Sequence, residues 1–152
     1  MPAIAPSYLY TFIAMIAVST LLVASFMAYA NALRASSETT QLENLIDNVA
    51  AKSTELLTLT LSTNASAETF IQMPTTIGDK VYWLQLRNDS ERAWLEGGFG
   101  NAPVEAAEMR VYLPKEATAS GFYIAGYGAA HLKCENHAGL MQITLVSSNI
   151  GG

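Results

Sequence analysis

From Ser7 to Leu33 the chain reads SYLYTFIAMIAVSTLLVASFMAYANAL, 27 residues without a charged side chain, a glycine or a proline. Apolar residues fall on every side of a 3.6-residue period, the pattern of a helix that meets no water on any face. At about 1.5 Å per residue such a helix rises about 40 Å, more than the ~30 Å hydrocarbon core of a bilayer. It is long enough to span a membrane. Pro6 suits a first helical turn and predicts a start near residues 5 to 7. Thr11, Ser19, Thr20 and Ser25 fit inside the helix because a hydroxyl can bond back to the carbonyl one turn earlier.

Beyond Arg34 the pattern becomes one-sided. Leu42, Leu45, Ile46, Val49, Leu56 and Leu57 recur at steps that place them on one helical face, while Glu43, Asp47, Lys52 and Glu55 fall elsewhere. Thr40 and Glu43 match a capping box, which allows a kink or a fresh start near residues 36 to 40. Unbroken, the combined helix is on the order of 75 Å long. From TLTLS (58 to 62) the period turns to alternation, and β-branched and aromatic residues cluster between turn signals. Strands are expected at 68–73, 80–87, 91–96, 108–113, 121–125, 129–135 and 139–147. The links between them carry Gly, Pro, Asn and Asp and are short enough to favour antiparallel neighbours, with 103–107 an alternative helical turn. The fold class this predicts is α+β: a long N-terminal helix over 1–57, apolar in its first half and amphipathic in its second, then an antiparallel β-sandwich-like head over 58–152, with the helix face of 42–57 laid against it.

Charge sharpens this division. The 152 residues hold 8 Lys+Arg and 13 Asp+Glu, a net charge of −5, and the first charged side chain is Arg34. An acidic chain without a basic cluster lacks the means to neutralise a phosphate backbone, so nucleic acid is excluded as a partner. One cysteine leaves no partner for an intramolecular disulfide or a cysteine-based zinc site. A secretory signal would need a basic leader and an apolar core of 7 to 15 residues, and the run here is about twice that. A membrane-inserted helix normally has Lys or Arg on its cytoplasmic flank, so a short basic leader is expected to have been removed before Met1.

Candidate chemistry is sparse. His131, Cys134 and His137 have the spacing H-x-x-C-x-x-H, but on a strand side chains three apart face opposite ways, so they converge only if the backbone bends at Asn136. Otherwise Cys134 is a small buried hydrophobe beside two surface histidines. GGFG (97 to 100) and GYG (126 to 128) sit between strands, where glycine serves turns and bulges. No nucleophile elbow, zinc-protease helix or phosphate loop is present, and the scattered carboxylates resemble a solvated face. An enzyme is not expected, nor a cofactor or a catalytic metal. Asn64-Ala-Ser66 and Asn88-Asp89-Ser90 are N-glycosylation sequons at expected loops. Within the apolar helix, Ala14, Ala17, Ala24, Ala28 and Ala32, with Leu21 between, form a stripe of small side chains of the kind that lets helices pack closely in lipid. Tyr8, Tyr10 and Phe12 at one end and Tyr29 at the other have the placement of interfacial aromatic residues.

The run from Pro6 to Leu33, its continuation to Leu57 and a β-region containing P-x-x-I-G-x-x-V-Y (Pro74 to Tyr82) and Y-L-P (112 to 114) together resemble the type IV pilin superfamily, in particular archaeal pilins and archaellins. Bacterial pilins usually carry a glutamate a few residues into the mature chain. No acidic residue precedes Glu38 here, which favours the archaeal branch. The resemblance implies a homopolymer: an extracellular filament for adhesion or surface attachment, with helices bundled inside and heads outside. Tyr8, Phe12, Ile16, Leu21, Ala24, Ala28 and Leu33 would then lie on the polymerising helix. It also implies a membrane-inserted state before assembly, a pilus assembly machinery as partner, and N-glycans on Asn64 and Asn88. Fifteen large apolar or aromatic side chains lie within residues 8–33, and burying each is worth about 1.5–3 kcal/mol. Transfer to water is therefore prohibitive, whereas transfer from lipid to a helical bundle is nearly neutral. The competing expectation is a membrane-anchored accessory protein with an extracellular β-domain, similar to stator-like components of the archaeal motility apparatus.

Overall fold

The computed structural model describes residues 5–105, 107, 109–115 and 117–150. It has the α+β architecture that the patterning predicts: one long helix, α1 (Ala5–Thr63), followed by a sheet of seven strands. The chain forms two compact units, Met1–Thr39 and Thr40–Gly152. The strands are β1 (Ala67–Ile71), β2 (Tyr82–Asn88), β3 (Ala93–Phe99), β4 (Met109–Tyr112), β5 (Ala117–Ile124), β6 (Ala130–His137) and β7 (Leu140–Ser147). A short 3-10 turn follows over Ser148–Ile150.

In the second unit, Leu42, Ile46, Val49, Ala50, Leu56 and Leu57 of α1 are buried in one core with the inward residues of the sheet. Their recurrence at three and four residues makes this face, and burying each large side chain is worth about 1.5–3 kcal/mol. Two local expectations differ from the structure. Residues 36–40 are helical, so Thr40 and Glu43 do not begin a new helix. TLTLS, read as the onset of alternation, is the last turn of α1, so the helix passes the expected boundary at Leu57 by six residues. Its hydroxyls bond within the helix, Thr58 Oγ1 to the Thr54 carbonyl at 3.0 Å and Thr63 Oγ1 to the Leu59 carbonyl at 2.8 Å, while Leu57 and Thr60 face the core. Tertiary burial has overridden a local β preference. Asn64 then takes φ +52°, the left-handed conformation that closes helices and that asparagine tolerates.

The sheet order is β1-β6-β7-β5-β2-β3-β4, antiparallel throughout except for the parallel pair β5–β7. The hairpins β2–β3 and β6–β7 join sequence neighbours, as short links predict, but β1 pairs with β6 and β5 lies between β7 and β2. β5 begins four residues before the expected 121, within a stretch read as turn. Gly121 is the joint: residues 117–121 pair with β7 and residues 122–124 with β2. There φ is +100°, and a Cβ would lie 2.1 Å from the Leu145 carbonyl oxygen, so only glycine fits. β3 likewise extends through Gly97 and Gly98. A Cβ on Gly97 would stand 2.9 Å from Ile46 Cδ1, and one on Gly98 3.0 Å from the Trp83 ring. These glycines allow close approach inside a strand rather than forming the expected turn. Residues 103–105 and 107 carry no helix.

Turn chemistry holds the P-x-x-I-G-x-x-V-Y segment: Ile77 and Lys80 exchange backbone hydrogen bonds around Gly78, and the Tyr82 hydroxyl donates to the Pro74 carbonyl at 2.6 Å. Tyr123 donates to the Gly128 carbonyl, also at 2.6 Å. Burial first, then the neighbouring Tyr123, pushes the Tyr82 phenol far above its ordinary value. At the β2–β3 turn, Asp89 Oδ1 accepts from the backbone N–H groups of Glu91 and Arg92, both at 2.8 Å, which lowers its pKa.

Candidate functional site

The feature with no counterpart in an ordinary water-soluble domain is the first stretch of α1. Every residue from Pro6 to Ser37 is exposed, and the large apolar side chains from Tyr8 to Leu33 are each 52–74% accessible. Exposed apolar patches of this extent mark a surface that another apolar medium covers. The helix is long and apolar enough to cross a membrane. Its polar atoms are compatible with that medium: Thr11 Oγ1 donates to the Ser7 carbonyl at 3.0 Å and Thr20 Oγ1 to the Ile16 carbonyl at 2.8 Å. From Tyr8 to Tyr29 the helix rises about 32 Å at ~1.5 Å per residue, close to a bilayer's ~30 Å hydrocarbon core.

At about 100° per residue, helical geometry sorts the expected polymerisation residues into two groups. Leu21, Ala24 and Ala28 lie on one side with Ala14, Ala17 and Ala32. Tyr8, Phe12, Ile16 and Leu33 lie on the other with Leu22, Val23 and Phe26. One side is narrow and the other bulky. Neither offers a carboxylate, an amine, an imidazole or a thiol, so burial against another apolar surface is what this part of the chain can do.

The remaining sequence candidates fall apart or turn structural. His131, Cys134 and His137 all lie on β6, which stays extended to His137 instead of bending at Asn136. Cys134 points into the core, where burial pushes its thiol pKa up and the Thr60 hydroxyl partly offsets the shift. His131 is on the opposite face, its Nε2 3.1 Å from Glu68 Oε2 and its ring stacked on Phe70 at 4.4 Å. Among the described residues no three His, Cys, Asp or Glu side chains are grouped to hold a metal. Both sequon asparagines are exposed. Asn64 Oδ1 accepts from Asn136 Nδ2 at 2.8 Å, and Asn88 ends β2 at the hairpin turn.

One cluster escaped the sequence reading. Glu96, fully buried on the sheet face away from the helix, has Arg87 Nε 2.8 Å from one carboxylate oxygen, and Trp94 Nε1 and Arg110 Nη2 at 2.9 and 3.5 Å from the other. The Arg87 N–H is itself directed at Gln85 Oε1, 3.1 Å away. Arg110 also stacks over Trp94, Arg92 over Tyr112, and the two rings meet edge to face at 6.3 Å. The cluster compensates a buried charge with two half-exposed cations. A lone glutamate in AWLEGGF was the available signal, but its partners come from three strands that only the sheet register brings side by side. Compared with known protein families, characterised proteins and solved structures, the chain matches none.

Proposed function

We propose that this chain is the structural subunit of an extracellular filament of the archaeal type IV pilin kind, polymerising through the apolar part of α1 and serving adhesion or surface attachment. One observation carries the reading: about 40 Å of charge-free helix, exposed on every side, belongs to the same helix whose later turns are built into the core of a folded head. Its fifteen large side chains need an apolar cover. Lipid can provide it before assembly and other copies of the helix afterwards, so the subunit is stored in a membrane and then built into a fibre. The role is structural rather than catalytic, the heads face outward, and Asn64 and Asn88 are the residues on which N-glycans would project.

The test is to shear cells producing the protein and sediment the released material without detergent. Fibres containing this chain, visible by negative stain and dissolving only under denaturing conditions, are the expected result. Its recovery solely from membranes, as a small species released by detergent, would overturn the reading. That outcome would favour an anchored accessory protein with an extracellular β-domain, the second reading. The fit of the Tyr8–Tyr29 interval to a bilayer supports the alternative, while the helical continuity of residues 34–40, where an anchored domain would have a flexible stalk, supports the filament.

A further inference from the structure

The head carries a groove whose chemistry differs from the rest of its surface. It lies between α1 and the segment after β1, holds about 420 Å³, and is lined by Gln41, Asn44, Leu45, Asn48, Ile71 and Ile77 among others. None of its lining residues is charged. The contrast is with the opposite flank of the same helical turns, where Glu43 and Asp47 face Arg110. A flank left without charge over two turns, in a stretch that places Glu43 and Asp47 elsewhere, suits an occupant that has no charge to offer.

Within this protein the segment that combines that property with large side chains left exposed along its whole length is the charge-free helix from Ser7 to Leu33. Its two ends differ. Ser7, Tyr8, Tyr10 and Thr11 concentrate hydroxyl groups at the first end, and a buried tyrosine needs a partner for its O–H. Side-chain amides can both donate and accept, so Asn44 and Asn48 can satisfy phenols that aliphatic walls could not. The volume also fits. A cavity of ~150 Å³ accommodates one benzene-sized ring, so 420 Å³ takes two or three bulky side chains such as a helical row one turn apart. Tyr8, Phe12 and Ile16 form such a row on the bulky side of the helix.

We propose that this groove receives the Tyr8–Phe12–Ile16 row of a second copy, the row packing on Leu45, Ile71 and Ile77 with the Tyr8 hydroxyl among the Asn44 and Asn48 amides. The proposal rests on the filament reading and names the head surface to which one subunit's helix docks on its neighbour. Lipid would cover the same row before assembly.

The experiment uses the full-length protein in cells that make fibres. Asn48→Lys places a charge in the groove at an exposed position, and sheared fibre is expected to fall at least about ten-fold, because a lysine cannot be buried against an apolar helix without a partner. Detergent-extracted protein should keep the head's thermal melt. Thr54→Lys, on the opposite flank of α1, is expected to leave fibre yield within about two-fold, since surface changes away from contacts cost little. In assembled fibres, Phe12→Cys paired with Asn48→Cys should be joined between copies by a short bis-maleimide, and Ala24→Cys paired with Asn48→Cys should not. Cys134, the one native thiol, is buried and stays silent. Wild-type fibre yield from Asn48→Lys, a loss of adhesion without loss of fibre, or cross-linking through Ala24 in preference to Phe12 would overturn the proposal while the filament reading stands. Absence of fibres from the wild type would instead overturn the filament reading, and this proposal with it.

Discussion

Residues 7–33 and residues 40–63 are parts of one α-helix, yet they are helical for different reasons. In the later part the sequence is amphipathic, and Leu42, Ile46, Val49 and Leu57 form a stripe that the sheet covers within the same chain. In the earlier part apolar side chains point all round, and none from Tyr8 to Leu33 is covered by the chain itself. A one-sided stripe can be satisfied by a single partner surface, whereas an all-round apolar helix needs to be surrounded. The head-bound turns are thus complete in one molecule, and the earlier turns still need an apolar cover from outside it.

The largest effect expected from that difference follows a charge placed in the earlier part. Leu21→Arg puts a cation at the middle of the span, where lipid insertion is penalised by about 2.5–3.5 kcal/mol and close helix packing fails. Sedimentable fibre should disappear, while the melt of the head in detergent stays unchanged. A parallel fall in head stability would break the division between the two parts.

Gly121→Ala probes the head at its topological joint. The φ of +100° and the 2.1 Å approach to the Leu145 carbonyl oxygen make strain and displacement additive, and we expect a loss of about 3–5 kcal/mol in the head's unfolding free energy by denaturant titration. Next comes a matched pair on α1. Ile46→Ala removes a fully packed side chain and should cost the head about 2–4 kcal/mol. Ile16→Ala, exposed in the single chain, should change head stability by less than about 0.5 kcal/mol and act on fibre yield instead.

The smallest expected effect is confined to alkaline solution. Because the folded-state pKa of Tyr82 is raised, the folded head favours the neutral phenol. Its stabilisation is fully present below the ordinary tyrosine value near 10 and is lost as pH climbs above it toward the folded value. Tyr123, raised by burial as well, adds to the same loss. Unfolding midpoints measured between pH 8 and 11 should fall above about pH 10. Tyr82→Phe should flatten that decline and cost about 1 kcal/mol at neutral pH, through the hydrogen bond to the Pro74 carbonyl.

The long helix and its division into an all-round apolar part and a one-sided part were legible because helical period and charge placement are local properties. The hairpin from Asn88 to Ala93 and the turn at Gly78 were legible for the same reason, since Asp89 caps the first through its side chain and glycine supplies the positive φ of the second. TLTLS was misread because alternation within five residues also suits a helix end in which Thr60 meets a core while Leu59 and Leu61 stay exposed, and only the sheet shows that core exists. Gly97 and Gly98 looked like turn residues because nothing in the local sequence shows that Ile46 and Trp83 will press against them.

From its residues alone, then, the chain determines that a long helix precedes a sheet, with the boundary placed six residues early, which helical face is apolar, and that residues 1–33 carry no charge, because these depend on backbone preference and on the cost of placing apolar groups in water. The tertiary structure decided the strand order β1-β6-β7-β5-β2-β3-β4, the parallel pair at β5–β7, and the burial of Glu96 among Arg87, Trp94 and Arg110. Each of those depends on which distant segments become neighbours, a choice made by the packing of the whole core and not by any single stretch of sequence.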